Sequence, residues 1–177
     1  MRNIFIGLIL VFLDLYLDIG NSRIGLLPDF IGFILILKGI GELKDESEHF
    51  KRLIRITGVA IVYFVALYIM DILGVYVPVS IILVLALIST IILLVITRGI
   101  ISGVRQIELN NDVFLGGSNL LNIWNPFMVT SLISIATVMI PALVIVTIIA
   151  NVVISIIFLI RFNRTCNLYN HFVYTAY

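Results

Sequence analysis

Residues 12–40 read FLDLYLDIGNSRIGLLPDFIGFILILKGI. Two apolar runs flank the polar connection Gly20-Asn21-Ser22-Arg23, which reads as the outer end of one membrane helix, a tight turn and the start of the next. Three carboxylates, Asp14, Asp18 and Asp29, stand in or beside runs that are otherwise Leu, Ile, Phe and Val. A charge at the centre of a membrane helix costs at least about 2.5–3.5 kcal/mol, so it is rare without a partner or a task.

The whole chain shares the apolar character of this stretch. Of its 177 residues 62% are hydrophobic and 12% charged. A soluble domain is roughly 45–50% apolar and about 25% charged, so the excess must face lipid. The net charge of +1 offers no basic surface for nucleic acid. One cysteine, Cys166, excludes an internal disulfide and a cysteine-rich metal site. His49 and His171 lie in polar segments, which removes the commonest metal ligand and general base from the spans. No metal or cofactor is expected. The N-terminus opens like a signal peptide but lacks a small-x-small cleavage site, and it reads as a retained first helix.

Taken in order, the chain predicts one membrane domain over residues 1–177, an all-α bundle of six transmembrane helices in three hairpins. The spans are 4–19, 26–41, 56–73, 79–97, 127–140 and 141–160. The first two are about 24 Å long, short for a hydrocarbon core of about 30 Å, so this hairpin thins the bilayer or is partly re-entrant. Pro28 suits the first turn of the second helix, and Asp29 favours its positive N-terminus. Gly32 and Gly39 share a helical face that lets a neighbouring backbone approach closely.

Residues 42–55 read as an amphipathic connection on the membrane surface, with Glu48 and Arg52 spaced i, i+4. Residues 98–125 form a second polar connection, containing the flexible pair Gly116-Gly117 and Trp124 at an interface. Residues 127–160 carry no charge. As one helix they reach about 51 Å, more than a bilayer needs, and Pro141 splits them into two; one long kinked helix is the alternative. Residues 163–177 are a polar, tyrosine-rich tail.

Charge placement favours six spans over five. Six put every lysine and arginine except Arg23 on one side. Basic residues prefer the cytoplasm, so both termini are expected inside a plasma membrane crossed several times.

In this layout Asp14 lies near the midplane, Asp18 one turn farther out on the same helical face, Asp29 at the start of the next helix and Asp71 near the outer end of the third. Arg23 is the one outer cation. The group has the chemistry to bind a cation, pass a proton or hold the amine of a small substrate. A structural reading stands beside it: Asp29 complements a helix N-terminus, Asp18 caps the turn, Arg23 pairs with either, and Asp71 meets headgroups. Hydroxyls within spans, such as Ser131 and Ser134, are read as packing, and Asn151 as an interhelical bond. No phosphate loop or H-E-x-x-H motif is present. An aspartyl dyad is formally available, but the balance is against an enzyme.

The segment Leu26-Leu27-Pro28-Asp29-Phe30-Ile31-Gly32-Phe33, after an aspartate-bearing first helix, resembles that of a group of small integral membrane proteins from low-GC Gram-positive bacteria. The resemblance covers the first hairpin and, loosely, the six-span layout. It implies no activity. In size and span count the chain is also similar to the S-components of energy-coupling-factor vitamin transporters, but the A-x-x-x-A signature of their first helix has no counterpart in residues 4–19.

Two functions follow as expectations. One is a transport or solute-binding protein, with Asp14, Asp18, Asp29, Asp71 and Arg23 forming a site for a proton or small cationic solute. The other is a non-catalytic accessory or immunity-type subunit, whose glycine-lined faces pack against a membrane partner or a second copy. An intramembrane aspartyl enzyme is a remote third.

Overall fold

In the computed structural model the described residues are 1–12, 16–19, 22–25, 28–137 and 140–175, with the two strands described by their backbone. Six helices and one two-stranded ribbon are present among them. The chain folds as two compact units, Met1–Val77 and Pro78–Tyr177.

The first unit contains α1 (Arg2–Phe12), β1 (Tyr16–Ile19), β2 (Ser22–Gly25), α2 (Asp29–Glu42) and α3 (Glu48–Ile72). Its first helix is shorter than the sequence suggested: it stops at Phe12, and residues 16–19 form a strand rather than more helix. The strands pair antiparallel in the register Tyr16↔Gly25, Leu17↔Ile24, Asp18↔Arg23, Ile19↔Ser22. That register leaves Gly20-Asn21 between them, and a two-residue link that starts with glycine is a hairpin signal in sequence. Tyr16-Leu17-Asp18-Ile19 also alternates polar and apolar, the period of a strand. Apolar content alone drew the reading toward helix.

α1 and α2 pack backbone to backbone. A Cβ on Gly7 would stand 2.5 Å from the Gly32 carbonyl oxygen, and one on Gly39 would stand 2.7 Å from the Ile4 nitrogen. A Cβ on Gly32 would meet Val11 Cγ2 at 2.6 Å and the Gly7 carbonyl oxygen at 2.8 Å. The side of α2 that carries Gly32 and Gly39 is therefore filled by α1 of the same chain. The ends of the two helices are tied by Asn3, whose amide donates to Glu42.

The other side of α2 stacks on α3: Phe33 lies on Phe64 with centroids 4.6 Å apart, and Phe30 meets the edge of Tyr68 at 5.4 Å. Ser47 caps α3, its hydroxyl accepting the His49 N–H at 3.2 Å. Phe50, Leu53, Thr57, Ala60 and Phe64 are buried along one stripe, spaced as a helix face requires. Glu48 pairs with Lys51 at 2.8 Å, one residue closer in sequence than the expected Arg52.

The second unit contains α4 (Val79–Asn111), α5 (Gly117–Ala136) and α6 (Pro141–Thr175). α4 continues well past residue 97. Ile100, Ile101, Val104 and Ile107 are buried and helically spaced, so this stretch is an amphipathic extension rather than a loop. α5 starts within the same expected connection, and residues 163–175, expected as part of a polar tail, continue α6. Between Ala136 and Pro141 the helical run breaks, and α5 packs antiparallel on α6: Phe127 stacks near Phe158, and Thr137 meets Thr147.

Three helices, Glu48–Ile72, Val79–Asn111 and Leu143–Tyr174, are long and apolar enough to cross a membrane. Arg2–Phe12 is apolar but short.

Candidate functional site

The register of α2 against α3 locates two of the carboxylates. Phe30 lies level with Tyr68, and Phe33 with Phe64. Asp29, the neighbour of Phe30, therefore starts α2 at the end of the pair where α3 finishes, and Asp71 stands one turn beyond Tyr68 at that same end. Asp29 is half-buried and Asp71 exposed.

Their helix positions differ in electrostatic sense. Asp29 occupies the first turn, where the N–H groups favour a carboxylate. Asp71 occupies the last turn, where the carbonyl end disfavours one. Pro28 precedes α2 in an extended conformation, one position before the first turn in which it was expected.

The ribbon adds a charged pair. Asp18 and Arg23 are direct cross-strand partners, and β2 runs beside α3. Asp18 is thus on a strand and not one helical turn above Asp14. Asp14 lies outside the described residues.

On the α1 side the contacts Ile4–Gly39, Gly7–Ile36 and Val11–Gly32 run antiparallel. Val11 is therefore within one turn of the level of Asp29. Among the described residues no three His, Cys, Asp or Glu groups come together as a metal site.

The second unit holds a polar knot that the sequence reading missed. Glu108 Oε1 accepts three backbone N–H groups, from Leu115 and Gly116 at 2.7 Å each and from Gly117 at 3.0 Å. These are donors at the start of α5 that would otherwise lack partners. Asp112 (φ 51°) ends α4 and Gly116 (φ 85°) begins α5, both left-handed. Gly117 has no room for a side chain, since a Cβ would meet Glu108 Oε2 and Arg105 Cγ at 2.6 Å. Thr165 of α6 donates to the Leu115 carbonyl at 2.8 Å. Gly116-Gly117 is therefore the centre of a three-helix junction and not a flexible pair. The available signal was a glutamate one helical turn before an Asn-Asn-Asp terminus, followed by the glycine pair.

Trp124 is held by two neighbours on α4. Its Nε1–H donates to Thr97 Oγ1 at 3.0 Å, and the Arg98 guanidinium lies 4.9 Å from its ring centroid. Both contacts stand where the apolar part of α4 gives way to charge.

α5 and α6 face each other through hydroxyls. Ser131 donates to Asn151 Oδ1 at 3.4 Å, Ser134 to the Thr147 carbonyl at 3.5 Å, and Thr137 and Thr147 share a bond of 3.1 Å. Thr130, Ser134 and Thr137 also bond carbonyls of their own helix.

The arrangement defines a helical protein with three segments fit to cross a membrane and a small charged ribbon set between two short helices. Comparison with family models, with curated proteins and with solved structures returned no match.

Proposed function

We propose that the chain is a plasma-membrane protein of six crossings, with both termini cytoplasmic. Its first hairpin builds an outward-facing site for a proton or a small cation. The crossings carried by α1 and α2 are completed by the ribbon. α1 has 11 residues and rises about 17 Å, and a four-residue strand adds about 13 Å. Helix and strand together match a hydrocarbon core of about 30 Å, which neither matches alone. Non-helical backbone at membrane depth must have its polar groups satisfied, and the ribbon satisfies one edge of each strand by pairing.

The observation that carries the site is that Asp29, at the start of α2, and Asp71, in the last turn of α3, lie at the same end of the α2–α3 pair, with β2 beside α3. Asp71 supplies a carboxylate where the helix itself disfavours one, which is the kind of cost a ligand or proton offsets. Phe30 and Tyr68, which meet edge to face beside the two carboxylates, are aromatic neighbours of the kind that suits an ammonium group.

The accessory-subunit reading loses its main argument, because Gly32 and Gly39 are covered by α1 and offer no groove to a partner.

The test is flux in reconstituted vesicles, with protons, sodium, potassium and methylammonium as probes. Asp29→Asn and Asp71→Asn should each lower the flux of one probe at least tenfold while leaving the helix content unchanged. Equal flux in parent and both variants, for every probe the parent carries, would discard the site.

A further inference from the structure

We infer that α5 does not cross the bilayer by itself but crosses as the hairpin partner of α6, through a hydroxyl seam that hides its polar groups. The inference rests on the six-crossing reading above.

Three observations lead to it. The first half of α5 carries Asn119, Asn122, Trp124, Asn125 and Pro126, so its apolar part is confined to residues 127–136, about 15 Å of helix against a core of about 30 Å. That apolar part is itself interrupted by Thr130, Ser131 and Ser134. Finally, these hydroxyls and Thr137 follow i, i+3 and i, i+4 spacing, and three of the four contact α6 at Thr147 and Asn151, which are also one turn apart.

α6 is different in kind. Its long apolar run qualifies as a span alone, with Asn151 as the strongly polar group that α5 receives. Each helix thus supplies the partner that the other lacks in hydrocarbon. Intrahelical bonds to the Pro126, Thr130 and Ile133 carbonyls lower the cost of the hydroxyls; Ser134 shares its one proton between the Thr130 and Thr147 carbonyls, Thr137 keeps an oxygen that can accept from Thr147, and Ser131 gives its proton to Asn151. A hydroxyl that meets lipid instead of α6 has only its own backbone to bond.

The experiment uses the full chain in a Cys166→Ala background. Ile140→Cys reports the α5–α6 turn, and Tyr76→Cys, at a site 90% exposed in the α3–α4 turn, reports an outer loop that does not involve α5. A membrane-impermeant maleimide is applied to intact cells, and labelling is normalised to that after permeabilisation. In the parent both positions label from outside. Thr147→Val with Asn151→Leu should lower labelling at position 140 at least threefold and leave position 76 unchanged. Adding Ser131→Ala, Ser134→Ala and Thr137→Val should restore position 140. Full labelling of position 140 in the α6 variant overturns the inference and leaves the six-crossing reading intact. So does a loss that the α5 changes fail to restore, or one that position 76 shares. Exclusion of both positions from outside labelling in the parent overturns the six-crossing reading, and the inference with it.

Discussion

A Cβ placed on Gly7 of α1 would lie 2.5 Å from the carbonyl oxygen of Gly32 in α2, closer than any side chain tolerates. The obstacle is backbone, so it cannot rotate away. Gly7→Ala should therefore push α1 off α2 and cost about 1–3 kcal/mol, the usual range for overpacking. Gly58 of α3 has nothing within 4 Å of the same probe position. Gly58→Ala should be stabilising by about 0.5–1 kcal/mol through lower chain entropy. Denaturation midpoints of the two variants, measured side by side in one detergent, should move in opposite directions. A shared direction would show that α1 and α2 do not meet as described.

Glu108 ties the end of α4 to the start of α5 with one oxygen atom, which accepts from Leu115, Gly116 and Gly117. Hydrogen bonds to a charged group contribute about 1.5–3 kcal/mol, and Glu108→Ala should cost about that much. Glu108→Gln keeps an oxygen acceptor at the same place without its charge and should cost roughly half as much. Hydrogen exchange at the amides of Leu115, Gly116 and Gly117 reads this directly. They should be protected in the parent and should exchange far faster in Glu108→Ala, while amides in the middle of α4 keep their protection.

Trp124 and Thr97 form one bond across α4 and α5 at 3.0 Å, and Thr97 Oγ1 also donates to the Leu93 carbonyl at 2.8 Å. A cycle with Trp124→Phe, Thr97→Val and the double variant should return a coupling of about 0.5–1.5 kcal/mol, the net value of one such bond. A coupling indistinguishable from zero would mean that the indole N–H bonds elsewhere.

Thr57 is fully buried, and its hydroxyl has no hydrogen-bond partner among the described residues. Valine has nearly the same shape without the polar group. Thr57→Val should be neutral or stabilising by about 1 kcal/mol, because an unsatisfied buried hydroxyl costs about 1–3 kcal/mol. A destabilised Thr57→Val protein would reveal a bond that the hydroxyl makes in the membrane.

The long elements were legible because hydrophobic runs and helix length are tied by the thickness of a bilayer. Residues 56–73 and 79–97 read as apolar spans; α3 covers the first up to Ile72 and α4 contains the second. What lay beyond the spans was harder to read. The extension of α4 hides its apolar stripe of Ile100, Val104 and Ile107 among polar residues, and a search for uninterrupted hydrophobicity passes over it. Residues 16–19 were misread for the opposite reason: hydrophobic residues in a membrane context suggest helix, and the alternation around Asp18 is only four residues long. The Glu108 junction depends on two left-handed residues and a contact seven to nine positions away, which no short-range pattern encodes. Of the carboxylates, Asp29 and Asp71 were placed at one level by helix direction alone. The cross-strand partnership of Asp18 with Arg23 needed the ribbon.

The central claim is that the end of α2 and the end of α3 present carboxylates to one cationic occupant. Equilibrium binding tests it most directly: the melting temperature of the purified protein is followed as protons, sodium, potassium or methylammonium are titrated in, since a ligand that binds only the folded state raises it by mass action. One of these probes should raise the parent's melting temperature in a saturable way, and the double variant Asp29→Asn/Asp71→Asn should melt at one temperature across the whole titration. A rise of the same size and midpoint in the double variant would contradict the claim.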